Sequence, residues 1–443
     1  LNTRNTSSRP VQVTSPEVTA VVPEQTCGEN LYWQYFESYK VSSYITLPHV
    51  LLISGRGDMT NYSCDVDLTN APWAQYSQDL ETVFITKGTT SVGDCAFGCR
   101  DMGTGSFPKL ANIYLSDGIK QVGAKAFYGC TALESVTFGS GLKTIGSDAF
   151  GDCTELTSVT LLYGVETIGS TAFYNCKKLT SVNLPASLTS LGSGAFYWCE
   201  ALTSMTVPDS VTSAPNELFF GCKALMSVSL PDAWTKYGIR MFLDCESLET
   251  FTIGSNITSI PDYCFDQCYK LANLYNFTGN TKITEIGMFA FNQCRALSGT
   301  LTLPTNLKKI GLYAFEWCSG ISKFVLPSGV VLDVNTWGDE TCGIFKGCSG
   351  VTSFDDFGLV AAGVKEVTAG LFQSCDGLTS VTIPDGFTKI GQDAFKGCAE
   401  LTTVTIPSSV TQIGAHAFAD CPKLTKIYIT EGTTTFGAQT WYS

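Results

Sequence analysis

Apolar residues return along this chain with one long period instead of the short periods of an isolated helix or strand. Cys130, Cys153, Cys176, Cys199, Cys222, Cys245 and Cys268 follow one another every 23 residues, and Cys294, Cys318, Cys348, Cys375, Cys398 and Cys421 continue the series with gaps of 23 to 30. Around each cysteine the chain approximates C-x-x-L-x-x-V-x-L-P-x-x-V-x-x-I-G-x-x-A-F-x-x-C. A clean copy is Cys176, Leu179, Val182, Leu184, Pro185, Leu188, Leu191, Gly192, Ala195, Phe196 and Cys199. Leu, Val and Leu at spacings of three and two, stopped by a Pro that cannot donate to a ladder, predict a short strand. The next apolar pair ends at Gly, which predicts a turn with positive φ. The A-F-x-x-C stretch predicts a single helical turn that drives the Phe inward. A unit this short cannot bury its apolar positions alone and must stack on its neighbours. The pattern therefore predicts a curved solenoid of roughly fourteen rungs with a parallel sheet on one face.

Composition narrows what such a solenoid does. The 443 residues are 44% hydrophobic and only 15% charged, against roughly 25% charged in an average globular protein, so the surface is unusually neutral. A net charge of −13 and a pI near 4.7 repel phosphate backbones and anionic lipid headgroups, so no nucleic acid is expected as a partner. No run reaches the roughly 18 apolar residues of a spanning helix, so no membrane insertion is expected of the visible chain. Residues 1–25, rich in Ser, Thr, Val and Pro without periodicity, predict an extended or disordered leader. The chain starts at Leu1 without a signal peptide, which predicts a mature or trimmed form of an exported protein. At the other end Phe436, Gly437 and Trp441 imitate one more I-G and A-F pair, predicting a half-rung that caps the last core face.

On these residues the chain resembles the BspA-like class of bacterial leucine-rich repeats across residues 80–443. Ahead of the repeats, Thr26-Cys27-Gly28-Glu29-Asn30-Leu31 with Trp33, Leu52-Ile53-Ser54-Gly55 with Gly57, Met59 and Tyr62, and Ala71-Pro72-Trp73 resemble the capping module that often precedes them. The chain departs from that module by an insertion around residues 36–48. The resemblance implies a leucine-rich repeat solenoid, a right-handed superhelix of 23-residue rungs with short helical turns, behind a small β-rich cap. The expected domains are a leader at 1–25, a cap at 26–79 and the solenoid at 80–443. It also implies a secreted or cell-surface bacterial protein. BspA-like proteins occur on bacteria of mouth and gut, where they are linked to adhesion to matrix proteins such as fibronectin and fibrinogen, and to coaggregation.

The chemistry-bearing residues point the same way. Thirteen of nineteen cysteines occupy one repeat position. Parallel stacking keeps their β-carbons near the strand spacing of about 4.8 Å, beyond the roughly 3.8 Å a disulfide prefers, which predicts a ladder of buried thiols. Cys264 takes the repeat's Ala place, and Cys99 falls one residue out of register. Cys95, Cys342, Cys27 and Cys64 lie outside the pattern. Of these, Cys27 and Cys64 share the cap and form the candidate disulfide. No histidine or second cysteine pair stands at zinc spacing. The segment Asp333 to Glu340 imitates only the first half of a calcium loop and reads as a solvated turn, so no metal and no cofactor is expected. With two histidines, His49 and His416, and no nucleophile elbow, phosphate loop or paired-carboxylate position, no catalytic residue is expected.

Function is then expected on solvent-facing positions. In each strand the residues flanking the middle apolar one point outward. Ser135, Thr137, Ser158, Thr160, Ser181, Asn183, Ser204 and Thr206 form a hydroxyl stripe suited to an exposed parallel sheet or to an extended peptide or glycan, with Phe84, Tyr114, Tyr275, Lys323 and Tyr428 as larger groups toward the ends. Between the repeat Phe and Cys, consecutive rungs carry Tyr174, Tyr197 and Trp198, and Phe220, with Tyr128 and Trp317 further away. These predict an exposed aromatic patch of the kind that marks a partner surface. Arg56, Gly57 and Asp58 spell an integrin-type tripeptide, whose glycine a tight turn also explains. The leading expectation is a non-enzymatic binding protein that adheres to host matrix proteins or other cells. The alternatives are a passive stalk or coat element and a glycan-binding module.

Overall fold

The computed structural model describes residues 25–42, 44–64, 69–98, 106–333, 343–431 and 435–440. The expected leader up to residue 24, Cys99, Cys342, positions 334–340 of the calcium-like segment and Trp441 lie outside the described residues. The chain divides into two compact units, residues 1–153 and 154–443.

The first unit begins with strands β1 (Thr26–Gly28), β2 (Asn30–Lys40) and β3 (Thr46–Asp58). The insertion that departs from the cap pattern is an extension of the β2–β3 hairpin, in register from Asn30↔Arg56 to Lys40↔Thr46. Strand β3 then serves as the first rung of two parallel ladders. Val50 to Ile53 pair with β4 (Thr82–Ile85), and Gly57 and Asp58 pair with β5 (Thr89–Val92). Ladder one continues through Asn112–Leu115 to Ser135–Thr137, and ladder two through Gln121–Val122 to Thr144–Ile145.

The second unit repeats the two parallel ladders. Ser158–Thr160 pairs with Ser181–Asn183, Ser204–Thr206 with Ser227–Ser229, and Ser380–Thr382 with Thr403–Ile406 and then Lys426–Ile429. On the other ladder, Ser259–Ile260, Glu285–Ile286, Lys309–Ile310 and Val331–Leu332 stack in turn. The strand residues alternate because period-2 geometry sends Val159 and Met205 into the core and their neighbours into water.

The A-F-x-x-C stretch is a turn, and its geometry differs from the helical turn expected. Two residues in most of these turns are left-handed, for example Gly194 and Trp198 at φ 62° and 57°, then Glu217 and Gly221 at 57° and 71°. Alternating hand aims successive N–H groups along the stack. Gly194, Phe196 and Trp198 accordingly donate to the carbonyls of Asn216, Leu218 and Phe220 at 2.9, 3.2 and 2.7 Å. The turn is thus a third rung-to-rung ladder that leaves few backbone donors orphaned. The I-G glycine also differs from expectation. It does not need a positive φ; it needs the absence of a Cβ. A Cβ at Gly192 would lie 2.2 Å from the backbone nitrogen of Ser170, and one at Gly414 would lie 2.4 Å from that of Gln392.

The core is a column of stacked rings flanked by thiols. In the first unit Trp73, Phe97, Phe127 and Phe150 stack with centroids 5.2 to 5.3 Å apart. In the second the column runs from Phe173 through Phe196, Phe219, Phe242, Phe265, Phe291, Phe315, Phe345, Phe372 and Phe395 to Phe418 at 5.2 to 6.3 Å. The expected ladder of thiols is present: the thirteen repeat cysteines and Cys264 are buried and unbridged. The repeat thiols also hydrogen-bond from rung to rung. Cys199, Cys222 and Cys245 donate to the carbonyls of Phe173, Phe196 and Phe219 in the preceding rung, each at 3.2 Å. Burial raises the Cys222 thiol far above its ordinary range, which keeps it protonated and able to donate.

Candidate functional site

The hydroxyl stripe lies where the alternation places it. Ser135, Thr137, Ser158, Thr160, Ser181, Asn183, Ser204 and Thr206 are all exposed, and like residues sit side by side, Ser158↔Ser181 and Thr160↔Asn183 among them. Tyr275 and Tyr428 stand more than half exposed, and Lys323 pairs with Asp356 at 3.1 Å. Phe84 departs from the expectation of an exposed anchor, being 8% exposed. Its ring stacks on Tyr114 at 4.7 Å, and Phe36, Tyr39 and Leu47 of the hairpin pack over it. The inserted hairpin therefore covers this face of the first unit.

The aromatic patch on the turns assembles in the second unit. Tyr197 stacks on Phe220 at 4.4 Å, Tyr174 lies 5.7 Å from Tyr197, and Trp198 lies 6.1 Å from Tyr174. Trp198 is 38% exposed and Trp317 is 39% exposed. Tyr128 corrects the expectation: at 6% exposure it is buried. It covers Gly151, where a Cβ would fall 2.6 Å from the tyrosine ring. The indoles of Trp198 and Trp317 lie in the same way over Gly221 and Gly347. A signal for this was in the chain, since each of these rings is followed one rung later by Gly at the same repeat position.

A second row of side chains was missed because it occupies the position before the repeat Ala. Arg240 pairs with Glu217 at 3.3 Å and lies 5.0 Å over the ring of Tyr263. Tyr263 stacks on Phe289 at 5.0 Å, and Phe289 on Tyr313 at 4.7 Å. All are half-buried. Beneath them runs a buried polar row. Asn292 donates to the carboxylate of Asp266 at 2.8 Å, while the Asn292 carbonyl oxygen has no partner. Desolvation lifts the Asp266 carboxyl to about 6, with Glu316 and Asp244 adding to the rise. Glu316 is itself paired with Lys346 at 3.0 Å.

The tripeptide Arg56-Gly57-Asp58 is the end of strand β3 and not a tight turn. Arg56 and Asp58 are exposed, and the Asp58 carboxylate accepts from the Thr90 hydroxyl at 2.6 Å. Gly57 at φ 106° and Gly55 at φ 125° are both conformationally constrained, and at Gly55 the Asn30 carbonyl also lies 2.1 Å from where a Cβ would stand. The cap disulfide is also corrected. Cys64 bonds to Cys95, with α-carbons 5.9 Å apart, while Cys27 is a buried free thiol that burial pushes up to about 12. The Cys27 carbonyl accepts from the Thr60 N–H at 2.8 Å, whereas the chain beyond runs on to bond the Tyr62 N–H to the Asp94 carbonyl at 2.9 Å, which brings Cys64 to Cys95. His49 accepts or donates to Tyr35 at 2.6 Å, and His416 pairs with Gln439 at 2.8 Å. Among the described residues no group of three or more His, Cys, Asp or Glu is placed to hold a metal. No helix there is long and apolar enough to cross a membrane.

Known proteins share this architecture. The family model for the BspA type leucine rich repeat region matches in six copies, over residues 104–163, 145–272, 269–355 and 365–443. No curated protein matches the chain. Among solved structures, a leucine-rich repeat protein from Bacteroides ovatus is 20% identical over 94% of this chain and 91% of its own, with a TM-score of 0.56. The pneumococcal vaccine antigen PcpA is 16% identical over 93% of this chain and 100% of its own, with a TM-score of 0.53. A leucine rich cell surface protein from Faecalibacterium prausnitzii is 23% identical over 86% of this chain and 90% of its own, at a TM-score of 0.49. The likeness to the first two is one of fold: a leucine-rich repeat solenoid.

Proposed function

Because this chain belongs to the BspA type leucine-rich repeat family, we propose that it is a non-enzymatic binding scaffold, displayed at a bacterial surface or secreted, that attaches to host matrix or to other cells through its turn face. The observation that carries the reading is the run of stacked, solvent-reaching rings at Tyr174, Tyr197, Trp198 and Phe220. Contiguous apolar rings that reach solvent support a partner interface. Repeat folds place such surfaces on side chains that the core does not need.

Binding of the purified chain to an array of immobilised matrix proteins and cells tests this, with Trp198→Ala alongside. The expected result is capture by at least one surface, lost in the variant, with a melting temperature that barely moves. Capture that survives in the variant would remove the turn face from the account. Capture by nothing would favour a passive stalk.

A further inference from the structure

The position just before the repeat cysteine is left-handed along the second unit. Several rungs fill it with a residue type that suits this backbone, among them Asn175, Gly221, Asp244, Gly347, Gly397 and Asp420, and others hold Gln267, Gln293 and Ser374 there. Two rungs carry Trp instead. Trp198 and Trp317 hold the same backbone at φ 57° and 58°, a strained choice for a bulky side chain. Neither indole is used to fill the core. Each lies over the next rung's glycine, so that backbone supports part of the ring, and more than a third of the residue still meets water. The left-handed backbone serves the ladder, since the Trp198 and Trp317 N–H groups donate to the carbonyls of Phe220 and Lys346 at 2.7 and 2.6 Å, while the indoles themselves stay 38% and 39% exposed, large apolar rings in water that point to a partner.

The residues between the two indoles complete the chemistry. Trp198 and Trp317 stand five rungs apart, about 24 Å at strand spacing. The same position in the intervening rungs carries Gly221, Asp244, Gln267 and Gln293. The Gln267 carbonyl accepts from the Tyr269 hydroxyl at 2.9 Å, and the Gln293 carbonyl accepts from Arg295 at 2.8 Å, so each amide has its NH2 left to offer. The Arg295 guanidinium lies 5.3 Å over the Tyr269 ring. Asp244 lies 3.6 Å from Lys223, which also pairs with Glu246 at 2.9 Å.

We propose that this strip is a track for a neutral glycan chain. The two indole faces stack on the C–H faces of pyranose rings near either end, and Asp244, Gln267 and Gln293 hydrogen-bond hydroxyls of the sugars between. The inference rests on the turn face being the binding surface. It favours a sugar chain because the two indoles of this lane stand about 24 Å apart with hydrophilic side chains between them, an extended arrangement suited to a chain of rings and hydroxyls, while Trp198 also borders the ring cluster of Tyr174 and Tyr197. The paired charges favour a neutral ligand.

Titration of the full chain with cellohexaose, xylohexaose and mannohexaose, followed by tryptophan fluorescence and calorimetry, tests the track. Trp198→Asn, Trp317→Asn and the double variant accompany it, since Asn suits a left-handed backbone and melting curves verify the fold. At least one hexasaccharide should bind, with an affinity that added salt hardly changes. Each single variant should lose roughly tenfold in affinity, and the double variant should not bind. Equal binding by the double variant, or binding of none of the three sugars by the parent, would overturn the track. A matrix partner lost in Trp198→Asn, with no sugar bound by the parent, would overturn the glycan assignment and leave the turn face as the binding surface.

Discussion

Phe196 lies between Phe173 and Phe219 in the ring column, fully buried and with its carbonyl accepting from Cys222. Truncation to Ala empties an aromatic site that flanking rungs cannot close without disturbing their own ladders. Phe196→Ala should therefore cost about 3–5 kcal/mol, read as a shift in the urea midpoint. Asp266 makes a different, pH-dependent contribution. Its folded carboxyl titrates near 6 because burial disfavours the charge, while the unfolded value is about 3.9. Between these values the folded chain binds the extra proton, so stability falls as pH rises from about 4 to about 6, by roughly 3 kcal/mol in all. Asp266→Asn removes that loss and gives the partnerless Asn292 oxygen a donor. The variant should exceed the parent in stability at about pH 7, and the gap should shrink at about pH 4. An equal gap at both values would contradict a buried, desolvated carboxylate.

At the scale of elements, what the repeat shows and what it conceals can be separated by cause. The strand ending at Pro185, the buried Phe196 and the thiol ladder were legible, because each follows from one residue type at one spacing. The alternating hand of the turn was not, because Glu217, Arg240 and Tyr263 adopt a left-handed backbone for the sake of inter-rung hydrogen bonds that their own side chains do not announce. For the same reason Gly192 read as a turn glycine when it is a contact glycine. Tyr128 read as exposed because its cover, Gly151, lies a full rung later. The hairpin hid two further facts: it covers Phe84, and the path after β3 carries Cys64 to Cys95. That bond closes a 31-residue separation, so replacing both cysteines with Ser should cost about 3–4 kcal/mol on the chain-entropy account. Melting with and without reductant measures it; a reductant-insensitive first unit would contradict the bond.

On the scale of the whole molecule, residues that repeat and residues that break the repeat have different tasks. Repeated Phe, Cys, Leu and Gly are buried in ladder after ladder, so stability is spread over many similar interfaces between neighbours. Trp198, Trp317 and the ring run from Tyr174 to Phe220 interrupt the repeat at positions the core does not use. The account's central claim is that these interruptions carry binding and not stability. Its most direct test is one variant read two ways: Trp198→Asn, measured for its melting curve and for capture on the matrix, cell and glycan surfaces that retain the parent. The account predicts an almost unchanged melting temperature and capture weakened roughly tenfold or more. A chain that unfolds early, or one that binds as the parent does, would contradict it.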